Sequence, residues 1–548
     1  MAHEINKVGV VGLGTMGAGI VEVLARSGLD VVAVEVSDEA LERGRAILSR
    51  STERAVARGR LSAGDRDALL GRVTFAVGLD GLADADLVVE AVPERLDLKR
   101  RIFADLDRVC APGTILATNT SSLSVTDVGA ATGRGARVIG VHFFNPAPVM
   151  RLVEVVSTVV TDPAVTAAVV GLCERLGKTA VSVTDRAGFV ANWLLFGYLN
   201  DAVRMYADGY ASREDIDVAM SVSGGLPMGP LELLDLIGLD TAVEVLDTMW
   251  ERGGRHRRHA AAPMLRQLVT AGRLGRKSGQ GFYAYERAGS GTVVADELTP
   301  LPQPDAEPFA GTVGVVGSGA MATGIAATLR DAGLTVVTTA GRGGYAGFSE
   351  VDVVIEAVTE DPAVKRAVFA ELDSVCRPGT VLATTTASLS VLDCAMATKR
   401  PGDVVGLHFM HPASAPVIEV VRTVRTWPGV VAVARSLGRT LGKRVVECGD
   451  RAGFITNGLL FPYLNDAVAM LEAGYATADD IDHAMTLGCG YPLGPIALLD
   501  AVGLDTSLTI QNNIYSYARD PDLSPAPLLR QLVTAGRLGH KSGGGLRG

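Results

Sequence analysis

The chain repeats itself at an offset of 264 or 265 residues. "LRQLVTAGRLG" occurs at 265–275 and 529–539, and "DRAGF" occurs at 185–189 and 450–454. The pattern "N-x-LLF-x-YLNDAV" starts once at Asn192 and again later in the chain. A period of this length is far too long for a solenoid repeat, so each copy is expected to fold as a domain pair of its own.

Composition and charge favour a globular protein. The 548 residues are 48% hydrophobic, which suits several domains with ample cores. The net charge is −10, with acids and bases interspersed, so neither a nucleic-acid partner nor a membrane partner is expected. The basic cluster "RHRRH" at 255–259 is interpreted as a solvated loop or helix end.

The cysteines and the first residues indicate a reducing compartment. The six cysteines form no C-x-x-C and no metal-ligand spacing, so free thiols and no metal are expected. "MAHEINKVGVVGLG" enters a strand almost at once, which leaves no room for a signal peptide. No run approaches the ~18 apolar residues of a membrane helix. The predicted location is the cytoplasm.

A glycine turn opens the first copy. The apolar run 8–11 fits a buried parallel strand, "GLGTMG" (12–17) makes a turn, and the next strand ends in Glu35. A strand, G-x-G-x-x-G, a helix and an acid closing the second strand are the context of a dinucleotide fingerprint. Glycines let the backbone approach a pyrophosphate, and Glu35 can accept from ribose hydroxyls while repelling a 2′-phosphate. NAD is therefore the predicted cofactor, held in this part by Gly12, Leu13, Gly14, Thr15, Met16, Gly17 and Glu35.

Two further strands place polar residues at one edge of the predicted sheet. "VVEAVPERLDLK" contains Glu90, Glu94 and Lys99, and "TILATNTSSLSV" brings Asn119 and Ser121 to a strand end. Open α/β sheets bind ligands at the carboxyl ends of their strands. Taken singly, such residues are as often caps or turn residues as ligands. Their convergence on one edge favours the functional interpretation.

Helical periodicity replaces strand patterns after "DRAGF", so an all-helical domain is expected to begin near residue 187. Asn192 lies among apolar residues at its start, and a buried amide must find hydrogen bonds, either structural ones or ones in the cleft between domains. A stretch rich in proline, glycine and acids then separates the copies. The predicted domains are a Rossmann-like domain (1–186), a helical domain (187–287), a linker (288–310), a truncated Rossmann-like domain (311–451) and a second helical domain (452–548).

In order, these motifs resemble the 3-hydroxyacyl-CoA dehydrogenases, including bacterial 3-hydroxybutyryl-CoA dehydrogenases. The resemblance covers essentially all of residues 5–285, and "NTSSL" with "HFFNP" is far more specific than the glycine turn. It implies an acyl-CoA substrate, a catalytic pair at His142 and Glu154, and substrate contacts at Ser121 and Asn192. It also implies nicotinamide-side contacts, which fall on Glu94, Lys99 and Asn119. Ala91 and Val92 are predicted to bind the cofactor as well. Glu35 stands where the family usually has an aspartate, which is a chemically conservative difference.

Hydride transfer explains why a histidine stands in the apolar run "GVHFFNPAPVM". Oxidising a secondary alcohol sends a hydride to the nicotinamide and the hydroxyl proton to a base, and a neutral imidazole suits that exchange at physiological pH. Glu154 follows His142 by 12 residues, far enough for the chain to turn and return beside it. There a carboxylate can fix the tautomer and stabilise the imidazolium.

The predicted function is NAD-dependent oxidation of (3S)-3-hydroxyacyl-CoA, or the reverse reduction, with a short acyl chain as the default. A 3-hydroxyadipyl-CoA dehydrogenase of aromatic-acid breakdown is a rival within the family. A β-hydroxyacid dehydrogenase of the hydroxyisobutyrate type also opens with G-x-G-x-M-G, but would use a lysine in its helical domain and lack "NTSS" and "HFFNP". A non-enzymatic, crystallin-like binding protein is the alternative from another class. No hydratase-like segment precedes the first copy, so the fused β-oxidation subunit is not expected.

The second copy is predicted to be a scaffold. It keeps His408, Glu419 and Asn457, but Thr385 and Ala387 stand where the first copy has its asparagine and serine. No acid closes its second strand, and the segment before its "EAV" strand is far shorter, so a helical excursion has been deleted. Family members resembling the first copy usually dimerise through their helical domains. An intramolecular pseudo-dimer of the two helical domains is therefore expected, with further association of whole chains left open.

Overall fold

The computed structural model describes residues 5–300, 307–340, 344–410, 413 and 415–547. Residues 301–306, in the second half of the predicted linker, lie outside the described residues. In both halves of the chain a sheet domain precedes a helical one, which confirms the predicted duplication of a Rossmann-type domain and a helical domain.

The first sheet domain is a doubly wound α/β unit. Its elements are β1 (Lys7–Val11), α1 (Thr15–Arg26), β2 (Asp30–Glu35), α2 (Asp38–Ala57), α3 (Ala63–Gly71), β3 (Val73–Val77), β4 (Leu87–Glu90), α4 (Leu96–Val109), β5 (Ile115–Thr118), α5 (Val125–Gly129), β6 (Val138–Phe143), β7 (Leu152–Ser157), α6 (Pro163–Arg175) and β8 (Thr179–Thr184). The strand order is β3-β2-β1-β4-β5-β6-β7-β8. Strands β4, β5 and β6 are buried along their whole length, as strands covered on both faces require.

One strand breaks the parallel order. β7 runs antiparallel to β6, and β8 then pairs parallel with β7. The turn through 144–151 is short enough to connect neighbouring antiparallel strands directly, without a crossover helix. This arrangement places the first residues of β7 opposite the last residues of β6.

The first helical domain contains α7 (Ala191–Ala207), α8 (Arg213–Val218), α9 (Pro230–Ile237), α10 (Leu239–Arg252) and α11 (Pro263–Thr270). It continues into the predicted linker, since β9 (Ala284–Tyr285) pairs antiparallel with β10 (Val293–Val294). Beyond that hairpin, Asp296 forms an ion pair with the buried guanidinium of Arg213. Described residues of the predicted linker thus pack on the helical domain, where the Arg213 guanidinium is neutralised by the carboxylates of Glu214 and Asp296.

The second half repeats this plan in shorter form. Its sheet domain contains β11 (Thr312–Val316), α12 (Ala320–Asp331), β12 (Thr335–Thr339), β13 (Val353–Glu356), α13 (Pro362–Val375), β14 (Val381–Thr384), α14 (Val391–Ala395), β15 (Val404–Phe409), β16 (Val417–Arg422), α15 (Pro428–Thr440) and β17 (Arg444–Gly449). The strand order is β12-β11-β13-β14-β15-β16-β17. Between β12 and β13 the described residues form only a short 3₁₀ turn, 345–348. The predicted deletion is confirmed: it removes the counterparts of α2, α3 and β3.

The second helical domain packs against the first. It contains α16 (Thr456–Glu472), α17 (Ala478–His483), α18 (Pro495–Val502), α19 (Leu504–Ala518) and α20 (Pro527–Thr534). α16 lies against α7, and Tyr198 and Tyr463, which occupy equivalent positions, face each other with ring centroids 6.3 Å apart. One hydrophobic core runs through both helical domains.

The contacts between the copies are reciprocal. The Tyr210 hydroxyl donates to the carbonyl oxygen of Gly449 (2.7 Å), and the Tyr475 hydroxyl donates to that of Thr184 (2.9 Å). α17 correspondingly packs on β8, and α8 packs on β17. Equivalent residues thus make equivalent contacts in both directions, as they do across a two-fold axis.

The basic cluster at 255–259 is partly buried, which corrects the predicted solvated interpretation. Arg258 is only 3% exposed. Its Nε donates to Asp201 (2.7 Å), and its guanidinium also pairs with Asp466 from the second copy. A buried guanidinium is tolerated here because a carboxylate from each copy neutralises it.

None of the helices in the described ranges is long and apolar enough to cross a membrane.

Candidate active site

The glycine turn between β1 and α1 leaves room for a ligand. Gly12 has φ of +90°, and a Cβ on Gly17 would lie 1.8 Å from the carbonyl oxygen of Gly12, so both positions require glycine. A Cβ on Gly14, by contrast, would meet nothing within 4 Å. Gly14 is the N-cap of α1 and provides no side-chain cap, so the first N–H groups of α1 face open space. This geometry fits a pyrophosphate.

Glu35 ends β2 beside this turn. Its Oε1 accepts from the backbone N–H of Leu13 (2.7 Å) and its Oε2 from that of Val36 (3.1 Å). Each carboxylate oxygen has a second lone pair, so the group can still accept from two ribose hydroxyls. Among the other predicted turn residues, Thr15 is exposed and Met16 half-buried.

A buried ion pair lies beneath the cleft. Lys99 and Glu90 are both fully buried, with Lys99 Nζ 2.8 Å from Glu90 Oε1 and 3.4 Å from Glu94 Oε2. The contact of Lys99 with the nicotinamide stays a prediction, and in the structure its ammonium lies between two carboxylates. The ammonium supports the turn that follows β4, in which Ala91 and Val92 are half-buried. Sequence reasoning noted Glu90 without giving it this role.

Glu94 shapes the loop after β5. Its Oε1 accepts from the Thr120 hydroxyl (2.6 Å) and from the N–H groups of Ser121 (2.8 Å) and Ser122 (3.1 Å). Burial raises the pKa of Glu94, but the Lys99 ammonium and these hydrogen bonds outweigh it, and the net pKa lies below the usual value. The ionised carboxylate thus holds the loop that carries Ser121.

Asn119 joins two strand ends. Its Oδ1 accepts from the N–H of Phe143 (2.9 Å), which fixes the amide between β5 and β6. Within the described ranges its NH₂ group has no hydrogen-bond partner, so it can donate to a ligand in the cleft.

His142 and Glu154 face each other across β6 and β7. They are directly paired in the antiparallel register, and His142 Nδ1 lies 2.7 Å from Glu154 Oε2. The carboxylate is fully buried, and its Oε1 accepts from the N–H groups of Val190 and Ala191, each at 3.0 Å, where α7 begins. A helix N-terminus therefore stabilises the charge of Glu154. No described residue hydrogen-bonds to the other ring nitrogen of His142, Nε2.

The helical domain reaches the site through Asn192, in the first turn of α7. Asn192 Nδ2 donates to the carbonyl oxygen of Ser121 (3.3 Å), and both residues are half-buried at the junction of the two domains. The structure thus brings the four predicted catalytic residues to one junction.

Two aromatic rings that sequence reasoning missed enclose the imidazole. Phe144 and Phe189 lie with their ring centroids 4.5 Å and 5.7 Å from that of His142. Phe189 has a φ of +46°, which is rare for a bulky residue. Such strain is typical of a functional position. The sequence feature that could have pointed to Phe189 is the pentapeptide "DRAGF", which ends at this residue and recurs in the second copy.

The comparison with protein families decides the identity. The model of the 3-hydroxyacyl-CoA dehydrogenase NAD-binding domain matches residues 7–186 and 339–451, and that of the C-terminal domain matches 188–285 and 453–547. The chain belongs to the 3-hydroxyacyl-CoA dehydrogenase family. It is accordingly an oxidoreductase, and its cofactor is NAD, which the open glycine turn and Glu35 fit.

Relatives of two lengths match this dehydrogenase. A 3-hydroxybutyryl-CoA dehydrogenase of Mycobacterium tuberculosis is 46% identical over 52% of this chain and 100% of its own length. A 3-hydroxyadipyl-CoA dehydrogenase of Escherichia coli is 31% identical over 97% of this chain and 98% of its own length. The crystal structure of a 3-hydroxybutyryl-CoA dehydrogenase from Escherichia coli covers 97% of this chain and 99% of that one, with 32% identity and a TM-score of 0.76.

In the second copy of the dehydrogenase, a histidine–glutamate pair has the same arrangement as His142 and Glu154 in the first. His408 Nδ1 lies 2.5 Å from Glu419 Oε2, and Glu419 Oε1 accepts from the N–H of Thr456 (2.8 Å). Asn457 Nδ2 donates to the carbonyl oxygen of Ala387 (3.1 Å), as Asn192 does to Ser121.

The cofactor half of the second copy has diverged. β12 ends at Thr339 with no acid following it, and the match to the NAD-binding model begins only at that residue. Ala387 replaces the serine and Thr385 the asparagine of the first copy. The second copy therefore has a histidine–glutamate pair but neither the ribose acceptor nor the hydroxyl donor of the first.

We expect one NADH to bind per chain, because Glu35 has no counterpart in the second copy. Isothermal titration calorimetry of the full-length dehydrogenase should give a stoichiometry of about one. Glu35→Ala should abolish this single binding event. Two binding events per chain would contradict the assignment of the second copy as a scaffold.

Proposed function

We propose that the first copy oxidises short-chain (3S)-3-hydroxyacyl-CoA, such as 3-hydroxybutyryl-CoA, to 3-oxoacyl-CoA, and also catalyses the reverse reduction. The observation that carries this proposal is His142, whose Nδ1 is bonded to a buried carboxylate while Nε2 stays free. Such a ring is held in one tautomer and can accept a proton only at Nε2.

Each residue then has a separate role. Bound NAD⁺ supplies the acceptor for the hydride that leaves C3 of the substrate. His142 Nε2 takes the hydroxyl proton, so that the C3–O bond becomes a carbonyl, and Glu154 stabilises the imidazolium. The Ser121 hydroxyl and the Asn192 amide bind the reacting oxygen. In the reverse direction the imidazolium returns the proton.

A 3-hydroxyadipyl-CoA substrate is the second candidate. It is supported by the Escherichia coli relative of that name, which shares the two-copy length of this chain. Kinetics of NADH formation across (3S)-hydroxyacyl-CoA substrates of increasing length, with and without a terminal carboxylate, distinguish the two. The highest kcat/KM for 3-hydroxybutyryl-CoA supports the first candidate, and the highest for 3-hydroxyadipyl-CoA the second. No turnover with any member of the series overturns the proposed function.

We also propose that the two helical domains form an intramolecular pseudo-dimer in solution. The reciprocal bonds of Tyr210 and Tyr475, the shared core and the buried Arg258 between carboxylates of both copies support it. Two domains that share a large hydrophobic interface separate less readily than two domains that share a polar one.

Residues 1–300 expressed alone, which keep β10 and Asp296, should therefore dimerise or aggregate, because the face of α7 that α16 covers becomes exposed. Size-exclusion chromatography with light scattering measures the mass. The full-length chain is the control and should expose less apolar surface to a hydrophobic dye. A fully active, stable monomer of residues 1–300 would count against the pseudo-dimer.

The cytoplasm is the proposed location. Its support is chemical: all six cysteines are present as free thiols, a state that a reducing compartment maintains.

A further inference from the structure

The second copy reaches the back of the first copy's catalytic strand. A π-helical turn, Ala484–Gly488, packs on β7, the strand that carries Glu154. We name residues 484–489 the backing segment. It follows α17, which is held against β8 by the hydrogen bond from Tyr475 to Thr184 and by the guanidinium of Arg186 over the Tyr475 ring at 4.9 Å. The N-terminal end of the backing segment is therefore held against the first copy.

Gly488 makes the closest approach. A Cβ at this position would lie 2.6 Å from Leu152 Cδ2 and 3.3 Å from Phe144 Cε1. Leu152 is fully buried, and the Phe144 ring is the one that packs 4.5 Å from the His142 ring. Protein interiors are close-packed, so a group added here must displace one of these side chains. Because Gly488 does not have a positive φ, the close approach rather than the backbone conformation demands glycine.

Cys489 is the next residue of the backing segment after Gly488. Burial, and next the nearby Glu154 carboxylate, raise the pKa of the Cys489 thiol to about 12. The thiol is therefore neutral and lies within electrostatic range of Glu154.

The mirrored segment of the first copy differs at these two positions. Residues 219–224 lie against β16, behind the His408–Glu419 pair, and carry Ser223 and Gly224 where the backing segment has Gly488 and Cys489. The Ser223 hydroxyl oxygen is buried and lacks a hydrogen-bond partner among the described residues. The two segments thus differ in the residues that they place behind the two sites: glycine and cysteine behind the complete site, serine and glycine behind the divergent one.

We propose that the backing segment of the second copy positions the catalytic pair of the first, with Gly488 as the positioning residue, which acts through Leu152 and Phe144. This inference rests on the proposed function of His142 and Glu154. It gives the retained second copy a direct part in turnover, beyond holding the helical domains together.

Gly488→Ala in the full-length chain tests the proposal. We expect kcat with (3S)-3-hydroxybutyryl-CoA to fall about three- to tenfold, with NADH affinity within about twofold of wild type. KM for the acyl-CoA should also stay within about twofold, because the added methyl group meets Leu152 and Phe144. A merely structural role would lower thermal stability without this separation of kcat from KM.

Two further variants keep the test decisive. Leu152→Val in the Gly488→Ala background frees space and should restore at least about half of the lost turnover, as coupled neighbours do. Ser223→Ala is the matched control in the first copy and should leave kcat within about twofold.

The outcomes separate the two proposals. Absence of turnover in the wild type across the acyl-CoA series defeats the proposed function. Turnover in the wild type together with an unchanged kcat in Gly488→Ala would overturn the inference alone. If Gly488→Ala fails to fold, Leu152→Val in the wild-type background decides, because it leaves a gap between the backing segment and β7. A loss of kcat of about twofold or more at unchanged NADH affinity supports the inference, and wild-type kcat overturns it.

Discussion

Replacing His142 with alanine is expected to lower kcat by roughly 10²- to 10⁴-fold, the range of a lost general base. NADH affinity should stay near the wild-type value, because the imidazole acts on the substrate hydroxyl and the dinucleotide is held by the glycine turn and Glu35. Steady-state kinetics with 3-hydroxybutyryl-CoA, together with fluorescence titration of NADH, measure the two quantities separately.

His408→Ala is the matched control, because His408 makes the same bond to Glu419 in the second copy. Nearly normal turnover is expected there, since Ala387 provides no hydroxyl donor and no acid follows β12. Unchanged turnover in His142→Ala would remove His142 from the mechanism. A large loss of turnover in His408→Ala would show that the histidine–glutamate pair of the second copy takes part in the reaction.

The order of elements could be predicted from the sequence because it depends on local patterns. Buried apolar runs mark β1 and β4, the glycine turn marks the start of α1, and loss of strand alternation marks the helical domain. The deletion in the second copy followed from the spacing alone. The contact of the linker residue Asp296 with Arg213 could not be found in this way, since the two residues lie far apart in the chain.

The sequence predicts which residues lie at the domain junction but not what supports them. Asn119 and Ser121 follow β5, and His142 lies near the end of β6, two strands whose carboxyl ends meet at one edge. The link from Glu154 to the start of α7 spans 36 residues and depends on how two domains dock, which no local pattern encodes. The ion pair of Lys99 with Glu90 was likewise not predicted, because the fold has to bring β4 and α4 together before the two side chains meet.

Contacts between the copies were outside the reach of sequence patterns for the same reason. Arg258 looked like part of a solvated basic run, and only the docking of Asp466 from the other copy makes it buried. The same docking gives a physical reason for the uneven divergence of the second copy. Its deletion falls between β12 and β13, whereas the elements that touch the first copy, β16, β17, α16 and α17, are all retained.

Glu154→Gln is expected to lower kcat by roughly 10²- to 10⁴-fold without loss of NADH affinity. Glu154 Oε1 accepts from two N–H groups at the start of α7, while Oε2 faces His142 Nδ1. In glutamine the carbonyl oxygen must keep facing those N–H groups, because an NH₂ there would oppose two donors. The NH₂ then points at Nδ1, which makes Nδ1 an acceptor and places the ring proton on Nε2. The base is lost although the residue keeps its shape.

Glu419→Gln is the control for this change, since Glu419 makes the corresponding bonds to His408 and Thr456. The two variants replace equally buried carboxylates, so a general loss of stability should affect both to a similar extent. Only Glu154→Gln should lose turnover. In that variant no carboxylate stabilises the imidazolium of His142. Wild-type turnover in Glu154→Gln would show that His142 needs no carboxylate to fix its tautomer, and the mechanism would then have to rest on another base.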